Sequence, residues 1–468
     1  MIIPLFSIGQ QGKSSTVTAQ SHTNVYAEIS VDADKSNIAF YGTPGLVLFA
    51  DFGDTPHRGA IAVGDFIYTV HRGTFWELNN AGVRVNRGSL NTTSGRVQMT
   101  YNGPQIEIVD GVNAYCYTIA TNAFQVIASA LFANPIDATF QDGYGINCFL
   151  NSGQFQISSS YGFLTYDGLE FATAESNPDG LVRVIADHGE LVLFGTGTTE
   201  FWGNSGQLDF PYTNLRGTTI EYGLAARLSV TKYNDSLIGL FKNPMGQVNV
   251  LQLVGHSVRR VSTDEIDYII NNYDSVADAT GYAYMLGGHP MYQINFPTEG
   301  KSWLYDGASG LWTILESGLN GGRHRGEFLV DYLNKPRIFD YENGRIYTMD
   351  ADAYTDNGTP IKRQLRAKHF FKDFKRVTVQ RLNLDFETGV GLISGQGEDP
   401  QVMLRVSRDN GHTWGAELWR SIGKIGKYLT RVFWTRLGSS RDFVFEITVT
   451  DSVKFALPAA SIEAEVTQ

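Results

Sequence analysis

Three stretches of this chain hold residue types whose spacing could do chemistry. SIGQQGKS, Ser7 to Ser14, ends like a phosphate-cradling loop, but Ser7 stands where the first glycine is required. Such a loop must also lead into a helix whose amide dipoles hold the phosphate, and the following STVTAQSHTNVYAEI is β-prone with no helical stripe. Nucleotide binding is not expected there. SRDNGHTWG sets Ser407, Asp409, Gly411, Thr413 and Trp414 in the spacing of an Asp box. In this hairpin device the carboxylate accepts hydrogen bonds from turn amides and the threonine hydroxyl, glycine permits the tight backbone, and the tryptophan packs beneath. It staples a hairpin and contributes no catalytic atom. The third stretch is basic: Lys362, Arg363, Arg366, Lys368, Lys372, Lys375, Arg376 and Arg381 face only Asp373. It reads as a solvated interdomain strand pair, an interface with a subunit or neighbouring ring, or a nucleic-acid contact. Arg323 and Arg325, on the glycine-rich GGRHRGEF, carry the same ambiguity.

Asp boxes recur in sialidases and other sugar-processing β-propellers, so a carbohydrate-binding or glycoside-hydrolysing propeller is the alternative reading. Hydrolysis of that type needs several boxes, an arginine cluster, a general acid and a tyrosine nucleophile with its glutamate. Here one box falls outside the repeats, and no arginine stands in a Phe/Tyr-Arg-Ile-Pro setting. The histidines, among them His22, His188, His289 and His412, show no metal-ligand spacing, and no GxSxG elbow occurs. No catalytic residue, metal or cofactor is expected.

The elements that must position these residues are strands. With 50 Gly, 23 Tyr and 28 Phe but only 18% charged residues, the 468-residue chain is rich in turns and aromatic strands, so the expected class is all-β. Its net charge of −11 argues against a large basic grip on nucleic acid; an acidic wall instead suits a conduit whose cargo must not stick. Cys116 and Cys148 lie in strand-like runs and read as reduced core residues. MIIPLFSIGQQGK lacks the features of a signal peptide, and no apolar run of ~18 residues occurs, so synthesis in a cytoplasm and no membrane span are expected.

Between about residues 59 and 350 an aromatic hairpin returns seven times, from GDFIYTVHRGTFWELN to RGEFLVDYLNKPRIFDYENGRIYTMD, at roughly 44-residue spacing, the period of a propeller blade. The expectation is a multi-bladed β-propeller of about seven blades over 51–360, six to eight remaining open. Residues 1–50 read as an arm with strands, and 361–468 as a smaller β-sandwich-like domain carrying the Asp box. One helix interrupts the pattern in STDEIDYIINNY, where Ser262 or Thr263 caps and Ile266, Ile269 and Ile270 form an apolar stripe; it reads as decoration of an inter-blade connection.

AESNPDGLVRVIADHGELVLFGTGTTEFWG, STDEIDYIINNY with the following DATGYAYMLGGHPMYQINFP, and the closing pair RDNGHTWG and VFWTRLGSSRDFVFEI together resemble the packaged-DNA stabilization proteins, also called tail hub or nozzle proteins, of short-tailed bacteriophages. The resemblance runs from about residue 40 to the end and is weakest in the arm. It implies a non-enzymatic propeller protein of the virion tail that forms a homo-hexameric ring below the portal and adaptor proteins. Such a ring closes the exit channel on packaged DNA without sequence-specific contact and anchors a tail needle, tailspike or fibre. On that reading the candidate interface is Lys362, Arg363, Arg366, Lys368, Lys372, Lys375 and Arg376, with Arg323 and Arg325.

Overall fold

The computed structural model describes residues 5–30, 36–128, 134–174, 179–207, 210–373 and 375–467. Part of one segment that carries the family resemblance, Glu175 to Pro178, lies outside them. The described residues form a β-propeller and a β-sandwich, as the alternating strands predict. Six four-strand meanders at 57–89, 98–126, 135–173, 181–214, 223–260 and 280–315 are followed by one of three strands at 326–350, and are called here blades 1 to 7. Blade 5 splits its first strand into Gly223–Leu224 and Thr231–Lys232. The first strands of neighbouring blades lie against one another, including Gly326–Tyr332 of blade 7 against His57–Val63 of blade 1. They are therefore the inner strands, and the ring is closed.

Closure follows from the strand pattern, because a blade with two apolar faces is stable only between two others. One apolar core fills each gap. Tyr68, Val70 and Phe75 of blade 1 meet Ile106, Tyr115 and Tyr117 of blade 2, and the series ends where Phe328, Val330 and Phe339 of blade 7 meet Ile67 and Leu78 of blade 1. Cys116 and Cys148 are free thiols buried in two of these cores. The helix Asp264–Asn271 links blades 5 and 6; Thr263 Oγ1 accepts from the Ile266 amide, and Ile266 and Ile270 are buried in the core between those blades.

Blade 7 has three strands of its own, Gly326–Tyr332, Lys335–Asp340 and Arg345–Asp350. Its fourth, outer strand is Gly45–Asp51, antiparallel to Arg345–Asp350. The ring is thus locked by pairing residues from opposite ends of the propeller sequence. The preceding part of the arm serves the sandwich. The hairpin Val25–Ile29/Ile38–Gly42 pairs with Ala456–Leu457, and Leu5, Phe6, Val25, Ala27 and Phe40 are buried in the sandwich core with Leu365, Leu404, Phe445 and Trp434. One sandwich sheet is Val432–Ser440, Arg376–Asp385 and Ala459–Thr467; the other is Arg363–Arg366, Asp442–Val449, Gln401–Ser407 and Leu418–Ser421.

The short strand Ser21–Thr23 joins the two domains, running parallel to Trp312–Leu315 of blade 6 and antiparallel to Arg363–Arg366 of the sandwich. Asn24 follows at φ 53°, a conformation asparagine tolerates better than most residues. Its Nδ2 donates to the Glu316 carbonyl at 3.0 Å and the Lys362 carbonyl at 2.8 Å, and its Oδ1 accepts from the Glu316 amide at 3.0 Å. A single buried amide thereby bridges propeller and sandwich.

Between blades 2 and 3 the Glu107 carboxyl is fully buried, and its Oε1 accepts from Asn147 Nδ2 at 2.9 Å and Tyr166 Oη at 2.8 Å. Burial pushes its pKa up to about 7, against those two hydrogen bonds. The native state therefore holds this proton longer than the unfolded chain. The stability contributed by Glu107 falls as pH rises from about 4.5 to about 7 and is flat on either side. Glu107→Gln is expected to remove that slope, of up to roughly 1 kcal/mol per pH unit, in urea titrations across the interval; an unchanged slope would contradict it.

Candidate functional site

The turn from Ser407 to Thr413 is held by its own side chains. Asp409 Oδ1 accepts from the Thr413 amide at 2.8 Å and the Ser407 hydroxyl at 2.8 Å, while Oδ2 accepts from Thr413 Oγ1 at 2.6 Å. The Gly411 amide, at φ 84°, donates to Ser407 Oγ at 2.9 Å. The Thr413 hydroxyl and amide, then Ser407, hold the Asp409 pKa at about 2, so the carboxylate is an acceptor throughout the neutral range. Every one of these bonds stays within the turn.

Trp414 reaches further than the turn. The guanidinium of Arg366 lies 4.9 Å and that of Arg405 5.3 Å from its ring centroid. Both arginines also hold Glu446, only 1% exposed: Arg366 Nε and Nη2 donate to Oε2 at 2.9 and 2.7 Å, and Arg405 Nη1 donates to Oε1 at 3.3 Å. Strand register explains the convergence, since Arg366 and Arg405 both stand directly opposite Glu446 on the strands flanking it. Arg366 Nη1 further donates to Gln11 Oε1 of the arm at 3.3 Å. The Asp-box tryptophan, the first half of the basic stretch and the arm thus form one cluster on the sandwich. Glu446 and Arg405 escape a reading based on charge runs; the available signal is an acid flanked by apolar residues in FVFEITV.

The basic stretch divides in two. Lys362 Nζ pairs with Glu316 Oε2 at 2.6 Å across the junction. Arg363 is wholly buried, and none of its guanidinium nitrogens has a hydrogen-bond partner among the described residues. Gly42 makes room for it, because a Cβ there would lie 2.3 Å from Arg363 Nε. Burial lowers the Arg363 pKa to about 10 and raises that of nearby Asp356 to about 6. Arg323 Nη1 pairs with Glu327 at 2.8 Å with its guanidinium 3.6 Å from the Tyr341 ring centroid, and Arg325 Nη1 pairs with buried Asp340 at 3.2 Å. Arg323, Arg325 and Arg366, with Lys362, are thus paired with carboxylates of the chain, and Arg363 is buried. Lys368, Lys372, Lys375 and Arg376 are exposed, and Lys372 has an exposed ion pair with Asp373 at 3.5 Å.

The loop-like SIGQQGKS is packing in the arm. Gln10 Nε2 donates to the Trp312 carbonyl, Gln20 Nε2 donates to Ser7 Oγ, and the chain continues through a turn into Ser21–Thr23. Gly12, Lys13 and Ser14 do line an open cleft of about 670 Å³ against the helix. Asp264, Glu265 and Asp267 share that cleft and outnumber its cations Lys13 and Arg260, the latter paired with Asp264 and Asp267, which leaves a poor site for a phosphate. Among the described residues no three His, Cys, Asp or Glu side chains converge as metal ligands, and no helix is long and apolar enough to cross a membrane.

Residues 1–354 match the family described as bacteriophage P22 Gp10, β-propeller, and residues 362–465 match its β-sandwich counterpart. The chain belongs to this family. The two matches meet at the junction that Asn24 bridges, and they bear out the resemblance carried by its sequence segments. The chain is 24% identical over 308 residues to the tail hub protein gp10 of Salmonella phage P22, a match spanning 62% of this chain and 62% of that protein. Among solved structures it is loosely similar to the N-terminal domain of Nup159 (TM-score 0.43, 9% identity, 70% of this chain and 98% of that one). Likeness to the Neurospora crassa Pan2 WD40 domain is at the same level (TM-score 0.42, 10% identity, 69% and 98%).

Proposed function

We propose that this chain is a structural, non-catalytic tail hub subunit of a short-tailed phage, residing in the virion tail after synthesis in the host cytoplasm. Copies assemble head to tail into a hexameric ring below the portal and adaptor proteins, close the channel on packaged DNA, and hold a needle, tailspike or fibre distally. The observation that carries this reading is mechanical: the arm closes blade 7, enters the sandwich core and bridges both domains. Force applied to either domain is therefore shared by a hydrogen-bonded sheet rather than a flexible linker. A ring closed on itself has protected strand edges and leaves its loops for partners, and heterologous contacts that close generate the oligomer. The acidic balance of −11 favours a wall that does not retain DNA.

Mixing the purified chain with portal–adaptor rings and measuring sedimentation tests the reading; a chain that stays monomeric in their presence would overturn it. Exposed Lys368, Lys372 and Lys375 are the part of the basic stretch free to meet a neighbouring ring. Reversing the three to glutamate is expected to leave the thermal midpoint unchanged and to cut the yield of assembled tails at least about tenfold, through like-charge repulsion at the contact. Normal tail yield would remove this surface from the assembly.

A further inference from the structure

Six charged groups gather where the inner strands of the propeller begin. Asp137 and Arg183 are each the third residue of their inner strands, Pro135–Gln141 and Leu181–Asp187. Glu327 is the second residue of Gly326–Tyr332, Arg96 and Arg323 lie just before the inner strands of blades 2 and 7, and Arg227 lies in the break between the two parts of the inner strand of blade 5. Because every blade enters the ring by its inner strand, these positions share one mouth of the axis.

Side-chain contacts confirm the convergence by skipping blades. The Arg96 guanidinium of blade 2 lies 4.0 Å from the ring centroid of Phe328 in blade 7, so it spans blade 1. Arg227 of blade 5 donates to the Ile136 carbonyl of blade 3, so it spans blade 4. Between them Arg183 Nη1 donates to the Arg227 carbonyl at 3.1 Å, and its Nε lies 3.6 Å from Asp137 Oδ2. Side chains that reach past a whole blade must run along the axis.

The charges there do not balance. Four guanidiniums, those of Arg96, Arg183, Arg227 and Arg323, face two carboxylates. Each carboxylate already lies nearest another arginine: Asp137 faces Arg183 and accepts from the Val184 amide at 3.0 Å, and Glu327 lies 2.8 Å from Arg323, leaving two carboxylates to serve all four guanidiniums. Arg96 has no acceptor of its own. Its Nε and Nη1 are inaccessible to solvent and lack a hydrogen-bond partner among the described residues, as does Arg183 Nε. A guanidinium cannot shed its charge at neutral pH, and donors buried without acceptors are costly. An oxyanion offers several acceptor oxygens in the planar geometry an arginine fork matches.

We propose that this mouth of the propeller axis is a binding site for a small oxyanion of the phosphate class, held chiefly by Arg96 with Arg183 and Arg227. The site does not depend on the tail hub reading. Sulfate and carboxylate groups share part of this chemistry, but the excess of arginines favours the more highly charged phosphate.

The test is thermal unfolding and calorimetric titration of the full chain with inorganic phosphate, against chloride at matched ionic strength. A parallel arm with adenosine monophosphate distinguishes a free ion from a nucleotide phosphate. Saturable stabilisation by either phosphate, absent with chloride, is expected. Arg96→Met keeps an unbranched side chain of similar bulk while removing the charge, and is expected to weaken binding at least about tenfold; Arg96→Lys should recover part of it. A phosphate response no larger than that of chloride, or one unchanged in Arg96→Met, would overturn the proposal. Since Arg96→Met breaks no ion pair and removes two buried donors that lack acceptors, its unliganded unfolding midpoint should be no lower than that of the native chain, which separates binding from folding.

Discussion

A chain that begins at Gly45 is expected to keep its propeller and lose its folded sandwich, whereas one that begins at Phe52 is expected to lose both. The first truncation removes Leu5, Phe6, Val25 and Phe40 from the sandwich core. Each such side chain contributes about 1.5–3 kcal/mol on burial, and together they approach the about 5–15 kcal/mol that holds an ordinary domain. It also removes the Ser21–Thr23 strand and the Asn24 bridge, so the sandwich loses its tie to blade 6. The second truncation further strips the outer strand of blade 7 and Leu46 from the core between blades 6 and 7. Near-UV circular dichroism and limited proteolysis with peptide mapping check both. Equal protection of residues 362–465 in the Gly45 truncation and the full chain would show that the arm is not part of that domain's stability.

Glu446→Ala is expected to destabilise the sandwich by about 3 kcal/mol, read as a fall in the urea midpoint. The substitution leaves Arg366 and Arg405, on the two strands that flank position 446, with neither a counter-charge nor the acceptor that orients them over Trp414. Arg366 and Arg405 are themselves 25% and 38% exposed, so water screens part of the loss and places it at the lower end for a buried pair. Replacing Glu446, Arg366 and Arg405 together by leucine and methionine should restore most of the stability, because the cost lies in the orphaned charges rather than in the absence of the pair. A triple variant as unstable as Glu446→Ala would refute this account. The same cluster ties the Asp box to the arm through Gln11, so Glu446→Ala should also increase proteolytic cleavage in residues 5–20.

The fate of the basic stretch shows where reading charge along a sequence stops being informative. Lys362, Arg363, Arg366, Lys368, Lys372, Lys375 and Arg376 look alike as a run, yet the fold buries Arg363 completely and exposes Lys368, Lys372 and Lys375. The alternation of Arg363–Arg366 as a strand, with Arg363 and Leu365 buried and Gln364 and Arg366 half-buried, assigns each residue to a face. Which face becomes interior depends on what packs over it, as Gly42 of the arm hairpin does over Arg363. Nothing local to the run carries that information.

By itself, the sequence determined the all-β class, the blade period, the Asp-box turn and the capped helix. Each is set by residues close along the chain: apolar alternation for strands, glycine for turns, and a threonine three residues before the amide it caps. Tertiary structure alone decided that the arm's last strand completes blade 7, that its earlier strands belong to the sandwich, and that Arg366 meets Glu446, 80 residues away. The axial arginines likewise come from separate blades and meet only because the ring closes. Long-range register is selected by the summed burial of many side chains, so no short window of sequence encodes it.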